Sequence, residues 1–132
     1  MTTAIVCSAI LAASIFVLGF NVSRMRGVVG KAGGNQQPTD PADRLLIAQR
    51  AHGNASEYVP SLIAMFLLVG WLAPTPWALT LIVGATLTRL GHAYLMLSCQ
   101  SLAVDHLERT IAAMGTYFFG FALAVTVAVA AL

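Results

Sequence analysis

Four polar side chains recur on one face of an otherwise apolar stretch: Arg50, Asn54, Glu57 and Ser61. At a helical 100° per residue they fall at about 0°, 40°, −20° and 20°, so a cation, an amide, an acid and a hydroxyl project from one narrow strip. Such a set can hold a ligand carrying both signs of charge, the guanidinium meeting a carboxylate and the acid meeting an amine or another cation. The next charged residue after Glu57 is Arg89, so the strip runs into a region with no water to solvate an ion, and Glu57 needs a partner.

A second group supplies candidates for that partner. Counted from the break at Ala73–Pro76, Glu57 lies about 24 Å along one helix and Arg89 about 18 Å along the next, both within a hydrocarbon core of about 30 Å. A charge facing lipid at that depth costs several kcal/mol, so both are expected to face the bundle and to approach each other or a polar ligand. His92 and Tyr94 follow about a turn nearer the membrane surface, and Arg109 stands at that surface on the last helix. With Arg50 and Asn54 they form a cationic, hydrogen-bonding cluster. A structural salt bridge between Glu57 and Arg89 is the competing reading. His52, His92 and His106 have no HxxxH spacing and Cys7 and Cys99 no CxxC or CxxH pattern, so no metal site and no disulfide framework are expected.

The run RAHGNASEYVP, read as Arg50, Ala51, Asn54, Glu57, Tyr58 and Pro60, resembles the signature of the membrane-associated proteins in eicosanoid and glutathione metabolism, the MAPEG superfamily. The resemblance implies a four-transmembrane-helix bundle assembled as a homotrimer, with glutathione as ligand or co-substrate between neighbouring subunits. Carried over by motif, Arg50, Asn54, Glu57 and Tyr58 would bind glutathione. Arg89, with His92 and Tyr94, resembles the pattern on the third helix that completes the pocket, although His92 stands where several members have tyrosine. Arg109 resembles the arginine that stabilises the thiolate. That role has a definable size: lowering a thiol pKa from about 8.5 to about 7 takes roughly 2 kcal/mol of preference for the anion, which a guanidinium in a partly dry site can supply.

The elements that must position these residues are legible as apolar runs with breaks between them. The first, from Ala4 to about Val22, is uncharged and long enough to span a membrane, and its positive flank (Arg24, Arg26, Lys31) follows it, the reverse of a secretory signal peptide. Gly27 to Pro38 reads as a loop. Asp40 is expected to cap a second helix with Pro41 at its first position, running to Leu72. That helix would be about 48 Å long, so its first turns project from the membrane, and Pro60 should kink it. The sequence APTP breaks the next long apolar stretch into a hairpin, with a third helix from about Trp77 to Ser98. Trp71 and Trp77 flank the turn as interfacial residues. Asp105 and Glu108 have the spacing of a capping box for a fourth helix reaching Leu132. Gly84, Gly91, Gly115 and Gly120 suit close helix packing.

Composition agrees with this plan. The chain of 132 residues is 58% hydrophobic and 9% charged, with mean hydropathy +0.82, against about 25% charged in soluble domains. One all-α membrane domain follows. The net charge of +2 gives no reason to expect a nucleic-acid partner. Lys and Arg gather near the first and third loops and none stands in the second turn, so those loops are expected in the cytoplasm and both termini outside it. Function follows the resemblance: a glutathione-dependent transferase or peroxidase-like protein acting on lipophilic electrophiles that arrive through membrane lipid. The alternatives are a non-catalytic lipid- or glutathione-binding protein of the same fold, and a proton-coupled transporter using Glu57 and Arg89.

Overall fold

In a computed structural model that describes every residue from Met1 to Leu132, the first apolar run becomes α1 (Thr2–Lys31). It continues nine residues past Val22 and stops at a specific device. Gly33 takes φ 67°, and the amides of Gly33 and Gly34 return to the carbonyls of Gly30 (3.1 Å) and Val29 (2.9 Å). This is the left-handed helix end that glycine allows at no steric cost. Gly27 and Gly30, read as loop, are therefore helical; their unfavourable propensity, about 1 kcal/mol each, is carried by a helix already propagating.

The second helix, α2 (Arg44–Leu72), starts later than expected because Asp43, not Asp40, is the cap. One Asp43 carboxylate oxygen accepts from the amides of Leu45 (2.7 Å) and Leu46 (3.2 Å). Asp40 instead closes a turn, its carboxylate accepting from Ala42 N at 2.9 Å and its carbonyl from Asp43 N at 3.0 Å, with Pro41 inside that turn. Pro60 lies within α2 on an exposed face without ending the helix. Ala73 to Thr75 form the turn, and Thr75 Oγ1 accepts from Ala78 N to cap α3 (Pro76–Ser98) with Pro76 at its first position. The last helix, α4 (Leu107–Ala130), has His106 at its cap position with no side-chain bond. The expected Asp105–Glu108 capping box does not form. Asp105 lies outside the helix, and Arg109 reaches back to Val104 O at 2.9 Å, tying the first turn to the preceding loop.

α1, α2 and α4 are each long and apolar enough to cross a membrane. α3 falls short of that measure, its apolar run interrupted by Arg89 and His92, and a three-residue link joins its 23 residues to α2. α2 and α3 are central: α1 packs on both and α4 packs on both, while α1 and α4 do not meet. Leu11, Leu18, Val59, Phe66, Leu81, Ile82 and Leu123 join the four helices in one core. Glycines let α3 and α4 pack closely: Gly84 admits the Phe119 ring and Gly115 admits Thr88. The outer face stays apolar: Phe16, Phe20, Trp71 and Phe121 are each at least 70% exposed, so lipid rather than water covers it. At the other end from the α2/α3 turn, the two longer connections are joined, Leu102 N donating to Pro41 O (2.9 Å) and Arg44 Nη1 to Cys99 O (3.0 Å).

Candidate functional site

Arg89 is the centre of the polar cluster. It sits on the inner face of α3, only 3% exposed. Its Nη2 donates to Asn54 Oδ1 on α2 at 2.5 Å and lies 2.9 Å from His92 Nδ1, one turn along its own helix. A guanidinium can only donate, so His92 must present Nδ1 as an acceptor and carry its proton on Nε2. The guanidinium carbon also stands 5.5 Å from the centre of the Tyr58 ring, which adds a cation–π contact. Arg89 Nε is buried without a partner, and Nη1 makes no hydrogen bond within the chain.

This arrangement corrects one expectation. Arg89 bonds to Asn54 and His92, and Glu57 is turned outward and exposed. On α2 the buried side is filled by Ala51, Ala55 and Val59, so Asn54 lies at the edge of the helix interface while Glu57, at −20° on the wheel, points away from it. Arg50, Asn54 and Glu57 instead line an open groove of about 450 Å³ together with Gln49, Gly53 and Met96. Arg50 and Glu57 have no side-chain bond within the chain, so a cation and an anion are presented outward from one groove.

The other expected members divide. Ser61 leaves the strip and lines an apolar groove of about 370 Å³ between α2 and α4, with Tyr58, Met65, Tyr117 and Phe121. Tyr58 Oη and Tyr117 Oη are 3.3 Å apart, and their rings are tilted with centres 5.6 Å apart. Tyr58 thus belongs to both regions, its ring over Arg89 and its hydroxyl at the mouth of the apolar groove. Tyr94 is 70% exposed and lines neither groove. Arg109 is half-buried, with Nη2 on Val104 O and Nη1 buried and unpartnered. It lines neither groove within one chain. No three His, Cys, Asp or Glu side chains gather as a metal site.

Gln49, Gly53, Met96 and Tyr117 are contributors that the spacing argument did not name. Gly53 falls about 60° from Arg50 on the same wheel, so its place in the groove was accessible to the angular argument. Tyr117 is one of few polar side chains in α4 beyond Thr110.

Helices of membrane length, a buried arginine fixed by an amide and a histidine, and an outward groove of both charges define a helical membrane protein with a polar cluster inside its bundle. The chain belongs to the MAPEG family, which matches residues 4–129, nearly its whole length. It is a membrane protein of the glutathione and eicosanoid metabolism kind. No curated protein matches it.

Proposed function

We propose that this protein is a glutathione-dependent membrane enzyme, a transferase or peroxidase-like protein that presents the glutathione thiolate to lipophilic electrophiles. The observation that carries the reading is the position of Asn54 and Tyr58. Asn54 lines the charged groove while holding the buried Arg89, and Tyr58, one turn further, lies between that arginine and the apolar groove. A charged tripeptide and an apolar acceptor are thereby offered adjoining surfaces. Arg50 takes a glutathione carboxylate and Glu57 its amine, each as a charge-assisted hydrogen bond. Arg89 and Asn54 form the floor, with His92 holding Arg89 in place. Arg109, with a free Nη1, stabilises the thiolate.

Arg50 and Glu57 are open to their surroundings in a single chain, yet Glu57 lies at membrane depth. Exposure of that acid to lipid would cost several kcal/mol, which supports a homotrimer in which a neighbouring copy covers the groove and completes the site.

Calorimetry with glutathione on the detergent-solubilised protein tests the binding half. Binding is expected for the parent and for Lys31→Ala, and is expected to be abolished in Arg50→Ala and Glu57→Gln. Equal binding by all of them would remove the groove as the site. The catalytic half is tested by conjugation of a generic electrophile; binding without turnover would leave a non-catalytic glutathione-binding protein.

A further inference from the structure

The largest groove in the molecule, about 600 Å³, belongs to none of this machinery. It lies where α1, α2 and α3 meet. Val17 and Phe20 on α1, Ile47 on α2 and Leu97 on α3 make its apolar wall, and Arg24 and Arg44 stand at its rim. None of its lining residues is acidic. Along α1 the wall rises about 10 Å from Val17 to Arg24, so apolar surface gives way to cation over the distance that separates an acyl chain from its headgroup.

The two arginines come from different helices and are held in place. Arg24 Nη2 donates to Asn21 Oδ1 at 3.1 Å, and Arg44 Nη1 donates to Cys99 O at 3.0 Å. Each uses one terminal nitrogen on the protein, and a guanidinium has five N–H donors in a planar fork, so both retain donors for a phosphate. The rim lies where the uncharged part of α1 ends, which is the level of lipid headgroups.

We infer that this groove is a binding site for an anionic phospholipid, its phosphate held between Arg24 and Arg44 and one acyl chain lying along Val17, Phe20 and Ile47. The occupant is a lipid rather than a free phosphate because the groove is mostly apolar wall with cations only at one end, and charge complementarity selects an anionic headgroup over a zwitterionic one.

Native mass spectrometry of the full-length detergent-solubilised protein tests this with phosphatidylglycerol and phosphatidylcholine of identical acyl chains, and with inorganic phosphate alone. The parent is expected to retain phosphatidylglycerol over phosphatidylcholine by roughly tenfold or more. Arg24→Gln/Arg44→Gln should erase that preference, while Arg26→Gln/Lys31→Gln, which removes the same charge from the same end of the molecule, should keep it. Val17→Trp leaves every charge in place and fills the groove, so it should lose both lipids; it decides the matter if the double arginine variant does not fold. Equal losses in the two double variants would make the preference a general surface-charge effect and overturn the site. So would retention of inorganic phosphate in place of lipid, or a Val17→Trp protein that loses its oligomer with lipid binding unchanged.

Discussion

At the scale of single residues, the buried guanidinium of Arg89 is the centre of the polar cluster. A charge removed from water needs partners, and Arg89 has Asn54 and His92 on Nη2 and the Tyr58 ring face beside it, while Nε and Nη1 make no hydrogen bond within the chain. Its position is fixed on α3 and through Asn54 on α2, so it is a floor rather than a mobile arm. Arg109 differs: it is anchored through one nitrogen to the loop before α4, with the other unpartnered. If Arg109 stabilises the thiolate, Arg109→Ala leaves glutathione affinity nearly intact. It also removes about tenfold of the thiolate at neutral pH, about 1.4 kcal/mol, because losing a nearby cation disfavours the anion. The ultraviolet absorbance of the bound thiolate against pH measures this; superimposable curves for the two proteins would pass the role to Arg89. Much of this site was legible in the sequence, since the angles of Arg50, Asn54 and Glu57 depend on one helix alone. That Arg89 bonds to Asn54 rather than to Glu57 was not, because a helical wheel gives direction around an axis and no distance across to another helix.

At the scale of elements, α3 and α4 pack through glycines. A Cβ on Gly115 would lie 2.6 Å from Thr88 Cγ2 and 3.2 Å from Thr88 Cβ. Thr88 cannot easily yield, being β-branched and bonded through Oγ1 to Gly84 O (3.0 Å) and Ala85 O (3.1 Å). Gly115→Ala is therefore expected to destabilise by about 1–3 kcal/mol through overpacking. Gly91, which has nothing within 4 Å of a new Cβ, should accept alanine neutrally or with a gain of up to about 1 kcal/mol from helix propensity. Thermal unfolding in detergent compares the two; equal shifts would show that this approach does not limit stability. The four glycines were all candidates for close packing by type, and only the contact surfaces separate Gly84 and Gly115 from the others. Element ends were the least legible feature for a related reason. Asp40 and Asp43 are equally good caps by type, and what selects Asp43 is the burial of Leu45, Ile47 and Ala48 directly after it, a tertiary fact. Gly27 and Gly30 carry the same loop signal as Gly33, but only Gly33 takes positive φ.

At the scale of the whole molecule, the fold links topology to function. The α1/α2 and α3/α4 connections are bonded to each other by Leu102 to Pro41 and Arg44 to Cys99, so they share one side of the membrane wherever that side lies. Arg24, Arg26, Lys31, Arg44 and Arg109 stand at or near these connections, while the turn from Ala73 to Thr75 has no charge. By the positive-inside bias both connections are expected in the cytoplasm, from which the proposed ligand, glutathione, would reach the groove beside Arg50. Single cysteines at Gly33 and Ala103 test this against a low background, because Cys7 and Cys99 are both buried. A membrane-impermeant thiol reagent is expected to label both positions only when it has access to the cytoplasmic face. Labelling of both from the opposite face would reverse the orientation and remove the access proposed for a cytosolic ligand, while leaving the bundle as described. Labelling of the two from different faces would contradict the hydrogen bonds that join the connections, and with them the pairing of α2 and α3 that brings Asn54 to Arg89.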